Sequence, residues 1–235
     1  MNYGNLANWF VAFGTILLGL IAIFQDKIRA YLRSPKLDCK IEIKPPDSHR
    51  TITKTQIITG SSMREGDSFY TYYYRFKIWN KGKVSAEKVE VIVTDIFRKE
   101  GKNYKRIESF SLDNLVWSTP GEKGERKVYC DYISPDTYKY CNLGHIYDPK
   151  YRVKIPGEFN PNLPVREDEA IFCFDVYFRS NILYYLVAPG IYKIKIKVGC
   201  TNAKTITKEY ELKVTGKWFE DESRMLNEGL SITEV

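Results

Sequence analysis

The chain has 235 residues, with 36 Lys and Arg against 29 Asp and Glu, a formal net charge of +7. The excess is concentrated: residues 26–40 hold five basic and two acidic side chains, a net of +3, which leaves +4 for everything from Ile41 onward. A nucleic-acid footprint needs a basic stripe on a recognisable module; neither is present, and nucleic acid is not expected as a partner.

Leu6–Phe24 has eleven Leu, Ile, Val or Phe among nineteen residues and no charged side chain. A helix rises about 1.5 Å per residue, so roughly 20 apolar residues cross a ~30 Å hydrocarbon core. Each Leu, Ile, Val or Phe favours insertion by about 0.3–0.6 kcal/mol, in sum roughly 3–7 kcal/mol, enough to offset Asn8, Gly14, Thr15 and Gly19. The stretch predicts one membrane-spanning helix, with Leu6, Trp9, Phe10, Leu17, Leu18, Ile21 and Phe24 in lipid and Trp9 near an interface. A cleaved signal peptide would want a basic n-region and a small-x-small cleavage site, whereas residues 1–8 hold no Lys or Arg and Ile23-Phe24-Gln25 is a poor site. A buried soluble helix would not be apolar all round. Thr15 and Gly19, four apart, offer a small-residue face through which a second copy could pack, so a homo-oligomer stays open.

Lys27, Arg29, Arg33, Lys36 and Lys40 follow the span, and no basic residue precedes it. The positive-inside rule then puts the bulk of the chain in the cytoplasm, beside anionic lipid that attracts those cations. The helix should run to about Arg33 and stop at Ser34-Pro35, because the residue before proline is pushed out of the α region. The five cysteines, Cys39, Cys130, Cys141, Cys173 and Cys200, form no close pairs and are odd in number. That suits a reducing compartment and agrees with the charge rule.

After the anchor, Leu37–Lys44 alternates as a half-buried strand and Pro45-Pro46 ends it. His49–Gly66 is polar and threonine-rich, a hairpin or loop. Ser68–Asn80 is the first strong strand, with Tyr70, Tyr72, Tyr74, Phe76 and Ile78 on one parity. Asn80-Lys81-Gly82 makes a turn, and Val89, Val91 and Val93 resume the alternation to about Phe97. Ile107–Trp117, Lys127–Ile133 and Tyr138–Ile146 are further strand candidates, followed by a proline-spaced loop from Pro149 to Pro164. Ala170–Phe178 carries Phe172, Phe174, Val176 and Phe178 in phase. Pro189-Gly190 introduces Tyr192, Ile194, Ile196 and Val198, and the chain returns through Tyr210, Leu212 and Val214. An acidic tail follows Trp218-Phe219, with a short helix near Ser223–Leu226 as one option.

Across residues 68–98 and 170–215 these blocks resemble the immunoglobulin-like β-sandwich modules of bacterial surface and membrane proteins, particularly the CARDB-type adhesion-related repeats. The carriers are the aromatic strand, the Asn-x-Gly turn, Ala86-x-x-Val89 entering a valine strand, and the Pro-Gly-x-Tyr hairpin. The resemblance implies a fold and transfers no functional motif. The expected architecture is mainly β, an immunoglobulin-like antiparallel β-sandwich over 35–219, preceded by a transmembrane anchor over 1–34 and followed by an acidic tail over 220–235.

Chemistry is sparse. Nucleophilic catalysis usually needs a histidine base, and the chain has only His49 and His145, neither in a known signature. Cys130, Cys141 and His145 lack the C-x2–4-C spacing and second ligand pair of a zinc site. Gly121-Glu122-Lys123-Gly124 lacks the strand, helix and Gly-Lys-Ser/Thr of a phosphate loop and reads as a charged turn. Glu158, Glu167, Asp168 and Glu169 read as a solvated face. Tyr129, Tyr132, Tyr138, Tyr140, Tyr147 and Arg152 interleave aromatic and basic side chains and form the candidate interface, because tyrosine and arginine are enriched at hot spots. Tyrosines filling ordinary strands are the plainer account. No cofactor, metal or catalytic residue is expected. The favoured reading is a single-pass inner-membrane protein that binds a protein partner without catalysing a reaction, as a sensor or accessory subunit. An exported adhesion or polysaccharide-binding module is the alternative. An enzyme would need a pocket that brings His145 within hydrogen-bond reach of an acid.

Overall fold

The computed structural model describes residues 3–32, 34–59, 62–108, 110, 112–154, 162–179, 181 and 183–235, with their side chains except at 3–6, 26–32, 55–59, 62–65, 153 and 154. Helix α1 (Tyr3–Leu32) opens the chain. Its window Ala7–Gln25 is long and apolar enough to cross a membrane, and none of that window is buried in the protein. Trp9, Phe10, Leu17, Leu18, Ile21 and Phe24 are all exposed. The side chains of Leu6, Lys27 and Arg29, and the whole of Arg33, lie outside the described set, while Lys36 is described and exposed. Thr15 turns its hydroxyl back onto the Val11 carbonyl at 2.8 Å.

The strands are β1 (Leu37–Lys40), β2 (Ser48–Thr59), β3 (Ser62–Asn80), β4 (Ala86–Glu100), β5 (Asn103–Arg106), β6 (Asp113–Asn114) and β7 (Cys130–Ile133). They continue as β8 (Thr137–Tyr147), β9 (Phe172–Phe174), β10 (Leu186–Val187), β11 (Gly190–Gly199), β12 (Ile206–Val214) and β13 (Leu230–Glu234). All pairings among the described residues are antiparallel. One sheet runs β1-β3-β8-β9-β10, with β2 also on β3; the other runs β13-β12-β11-β4-β5, with β6 and β7 also on β4. The two sheets share one core, so the domain is a β-sandwich. Tyr72, Tyr74, Phe76 and Ile78 of β3 face Val89, Val91 and Val93 of β4 and Ile194, Ile196 and Leu212 across it, all fully buried. Burying each such side chain contributes about 1.5–3 kcal/mol.

Of three register slips among the described strands, the one between β2 and β3 falls at Lys54/Gln56, and two re-aim side chains about the core. In β4 the register slips between Lys195 and Ile196 of its partner, which leaves Thr94 unpaired and brings Ile96, not Asp95, into the core. In β8 the slip falls between the Tyr74–Gly144 and Arg75–Asn142 pairs and leaves Leu143 as the extra residue. Cys141, Leu143 and Ile146 then point inward, while His145 and Tyr147 turn to the outer face, the re-aiming that bulges produce. Gly144 is needed there because a Cβ would sit 2.3 Å from the Cys173 carbonyl oxygen.

Several expectations need correction. The domain does not stop at 219. Residues 220–235 are no free tail: Glu222–Arg224 and Met225–Gly229 form helical turns, and β13 pairs with β12 from Tyr210–Glu234 to Val214–Leu230. The acidic groups occupy outward positions while Met225, Leu226, Leu230 and Ile232 enter the core. Arg50 of β2 also holds the segment, its amide on Glu222 at 2.7 Å and its guanidinium on the Glu220 carbonyl at 2.8 Å. The threonine-rich stretch takes the hairpin option rather than the loop, β2 pairing antiparallel with the strand that follows it, β3. Of Ile107–Trp117 only β6 and isolated bridges at Leu115 and Trp117 are extended. Of Ala170–Phe178 only Phe172–Phe174 is strand, and Phe178 is 66 % exposed.

One buried amide ties the start of the sandwich together. Asn80 accepts from Lys36 N at 3.2 Å and Gly82 N at 3.0 Å, and donates to the Val84 and Ile133 carbonyls at 2.8 and 2.9 Å. A Cβ on Gly82 would meet Lys36 N at 2.5 Å and Pro35 Cα at 2.7 Å, so only glycine lets the linker after α1 pass. Asn80→Ala leaves these groups without partners and is expected to cost about 3 kcal/mol or more, read from urea unfolding of the detergent-solubilised chain. A neutral result would remove the amide from this role.

The sheets are also clasped at an edge. Lys208 of β12 reaches Asp38 of β1 at 2.9 Å and Glu234 of β13 at 2.9 Å, and Lys81 reaches Asp38 at 2.6 Å. Burial alone would raise the Asp38 carboxyl, but the hydrogen bonds and charges of Lys81 and Lys208 outweigh it and hold the group at about 2. A depressed carboxylate pKa contributes stability that is present above the unfolded value near 4 and lost as pH falls through 2. Asp38→Asn is therefore expected to lose about 1–2 kcal/mol at pH 7, with the gap from the parent narrowing by half or more at pH ~3. A gap that stayed constant with pH would contradict it.

Candidate functional site

The outer face of the first sheet is divided into a ladder and a cleft. On the ladder, Arg75 lies 4.4 Å from the ring centre of Tyr140 and Lys77 lies 5.1 Å from that of Tyr138, a pair of cation–π contacts. Tyr138 also packs on Trp79 at 5.2 Å and on Tyr140 at 5.4 Å. Beneath them Asp47, 1 % exposed, accepts from the Tyr140 hydroxyl at 3.1 Å and pairs with Lys77 at 3.1 Å. The Tyr140 hydroxyl titrates well above the usual phenol range, first because it is desolvated and then because Asp47 sits beside it.

The cleft begins where the β8 bulge turns His145 outward. His145 Nδ1 lies 3.1 Å from Asp175 Oδ1, and each residue is only 5 % exposed. Asp175 follows β9 directly, its backbone held by Leu143 O and Val116 N at 3.0 Å each. Arg179 approaches the same carboxylate oxygen at 3.9 Å. Trp117, Ser118 and the turn at Gly121–Glu125 form one wall; Gly121 N donates to Glu125 O at 2.9 Å, the charged turn expected there. Phe69, Tyr73 and Tyr147 form the opposite wall, around a volume of about 440 Å³. Arg126 opens onto this space. Desolvation, and then the like charge of Arg179, lowers its pKa, though a guanidinium stays cationic regardless.

His145 thus stands within hydrogen-bond reach of an acid inside a pocket, the arrangement an enzyme would need. A hydrolytic triad would further require a nucleophile on the imidazole. Ser118 lines the same cleft, but its hydroxyl donates to Asn142 Oδ1. Cys141 is no substitute, since it faces the core from the other side of β8 and burial drives its thiol well above the ordinary range. For the same reason Cys141 and His145 cannot share a metal with Cys130, and no group of three metal-ligating side chains occurs among the described residues. Glu167, Asp168 and Glu169 lie around Arg166 at the surface, and Glu158 lies outside the described residues.

The six candidate interface residues separate into four places. Tyr129 and Tyr132, 50 % and 61 % exposed, lie in or beside β7 along a shallow groove with Lys127 and Lys139. Tyr138 and Tyr140 belong to the ladder. Tyr147 is buried in the cleft wall against Phe69, rings 5.9 Å apart. Arg152 is buried too, donating to the Glu169 and Arg166 carbonyls at 3.0 and 3.1 Å. Neither of these last two presents itself to a partner. Asp175 was missed by sequence reasoning, and only Gly144, a glycine inside a strand, hinted at the bulge that exposes His145.

Comparison with protein-family models, with curated proteins and with solved structures finds no match.

Arg152→Ala is expected to destabilise the chain by about 1–3 kcal/mol, because a buried side chain is lost and two part-buried carbonyls lose their donor. Tyr132→Ala should stay within about 0.5 kcal/mol of the parent. Urea unfolding followed by tryptophan fluorescence separates the two, and equal effects would contradict the division of the six residues.

Proposed function

We propose that the chain is a membrane-tethered, non-enzymatic binding protein: α1 crosses a bilayer once, and an immunoglobulin-like sandwich on the cytoplasmic side engages a protein partner. The observation that carries this is the bare apolar surface of α1, with a full span of 19 residues and no protein cover. Leaving so many large apolar side chains in water is unfavourable at about 25 cal/mol per Å², and lipid removes that cost. Five basic residues follow the apolar span, and the five cysteines stand unpaired, which favours a reducing compartment. The recognition surface is the outer face of the first sheet and the β7 edge, where Tyr129, Tyr132 and Tyr138 are exposed beside lysines. Tethering concentrates that surface in two dimensions, which raises effective affinity without further contacts.

The His145–Asp175 couple favours a second reading, an acid–base enzyme. The disposition of Ser118 toward Asn142 weighs against it.

The full-length chain is expected to sediment with membranes, resist alkaline carbonate, and dissolve only in detergent, with the N-terminal helix retained in its mass. A reporter fused after Val235 should read the cytoplasm, and cross-linking in intact membranes should then capture a partner through the β7 edge. Recovery of the intact chain in the high-speed supernatant, or loss of the helix by cleavage, overturns the tether. A periplasmic reporter overturns the orientation and favours the exported module.

A further inference from the structure

The cleft around His145 has a use that tethering does not explain. Asp175 is 5 % exposed, and its second oxygen, Oδ2, is buried without a hydrogen-bond donor among the described residues. A buried carboxylate oxygen in that condition costs about 1–3 kcal/mol or more, so native folds rarely keep one without a purpose. Asp175 lines a space of about 440 Å³, within the range of small-molecule sites. Asn142, in the same lining, accepts from Ser118 through Oδ1, and its Nδ2 donates to no described residue. Arg126 lines the opening and makes no ion pair or hydrogen bond with a described residue, whereas Glu125 beside it turns back to Lys123 N at 2.9 Å. Tyr73 lines one side of the space and Trp117 the other.

These groups define complementary chemistry. Arg126 and Asn142 offer donors, and a guanidinium matches a phosphate or carboxylate with paired hydrogen bonds. Asp175 Oδ2 offers one acceptor. An ammonium would bring three donors to that single oxygen and leave two unsatisfied in a desolvated place. A hydroxyl brings one. The aromatic walls favour a flat or ring-shaped body between the two ends. An amino acid zwitterion therefore fits poorly, inorganic phosphate leaves most of the space unfilled, and a neutral sugar leaves Arg126 without an anion.

We propose that the cleft between the β8 bulge and the Trp117–Arg126 wall binds a hydroxylated organic phosphate about the size of a mononucleotide. Arg126 and Asn142 hold the phosphate, a ligand hydroxyl donates to Asp175 Oδ2, and Tyr73 stacks on the ring. His145 keeps the Asp175 carboxylate oriented and takes no chemical part. The same chemistry can come from solution, as a nucleotide or sugar phosphate, or from the headgroup of phosphatidylglycerol.

The test is calorimetric titration of the full chain in phosphatidylcholine nanodiscs with adenosine 5′-monophosphate, glucose 6-phosphate, adenosine, inorganic phosphate and glutamate. At least one of the two organic phosphates should bind about tenfold or more tightly than adenosine, phosphate or glutamate. Arg126→Ala, a substitution in an exposed turn that leaves the fold intact, should weaken that binding by about tenfold or more. Asp175→Asn should weaken it as well, and if that variant unfolds, the corresponding deoxy ligand on the parent protein reports the same contact. In a second arm phosphatidylglycerol replaces phosphatidylcholine: a fall in apparent affinity that Arg126→Ala abolishes assigns the phosphate to lipid, and unchanged affinity assigns it to solution. If none of these phosphates binds at millimolar concentration in either lipid, if glutamate binds best, or if Arg126→Ala changes nothing, the proposal is wrong. The cleft is lined only by residues of the sandwich domain, so these outcomes do not depend on whether α1 spans a bilayer.

Discussion

The side-chain amide of Asn80 is the point on which this structure turns. It uses both donors and both lone-pair directions at a buried site, joining the incoming linker at Lys36, the tight turn at Gly82, the entry to β4 at Val84 and the end of β7 at Ile133. A fully satisfied polar group in a low-dielectric interior specifies one arrangement strongly, because every alternative leaves part of it bare. Here the arrangement specified is the seam between the two sheets. β3 belongs to one and β4 to the other, and the turn between them is where the sandwich folds over. The Lys208 clasp and the Tyr210 hydroxyl, which donates to the Cys39 carbonyl at 2.8 Å, close the far edge of the same seam.

Much of this was readable from local pattern. The apolar helix declared itself by length, and β3, β4, β11 and β12 by alternation, because a strand with one dry face must alternate. What local pattern left open was set by the pairing partner. β2 is polar on both faces over much of its length and owes its existence to pairing with β3. β13 is short and crowded by acidic neighbours, so Leu230 and Ile232 looked like strays in a tail until β12 lay beside them. Both bulges move the buried parity by one, and nothing in a single strand's composition says where the partner will slip. Hence Ile96 rather than Asp95 enters the core, and His145 leaves it.

That slip creates the chemical character of the outer face. Without it His145 would point into an apolar interior among Phe172 and Phe174. With it the imidazole meets a carboxylate arriving from just after β9, some thirty positions later, with Arg179 from that same segment and Arg126 from another lining the same cleft. No motif spans those positions, so no reading of short patterns could assemble them. The tyrosine-rich stretch shows the converse: side chains that looked like one surface in sequence are divided among an edge, a ladder, a cleft wall and a buried capping position. Proximity along the chain was a poor guide to proximity in space wherever loops intervened.

The linker after α1 carries one last implication. Only four positions separate Leu32 from the first residue of β1, and three of them are pinned or crowded by Asn80 and Gly82. At no more than about 3.6 Å per residue this gives roughly 14 Å of reach. Such a stub limits separation, so whatever surface holds α1 also keeps the Asn80 seam and the base of the sandwich within that distance of the helix end.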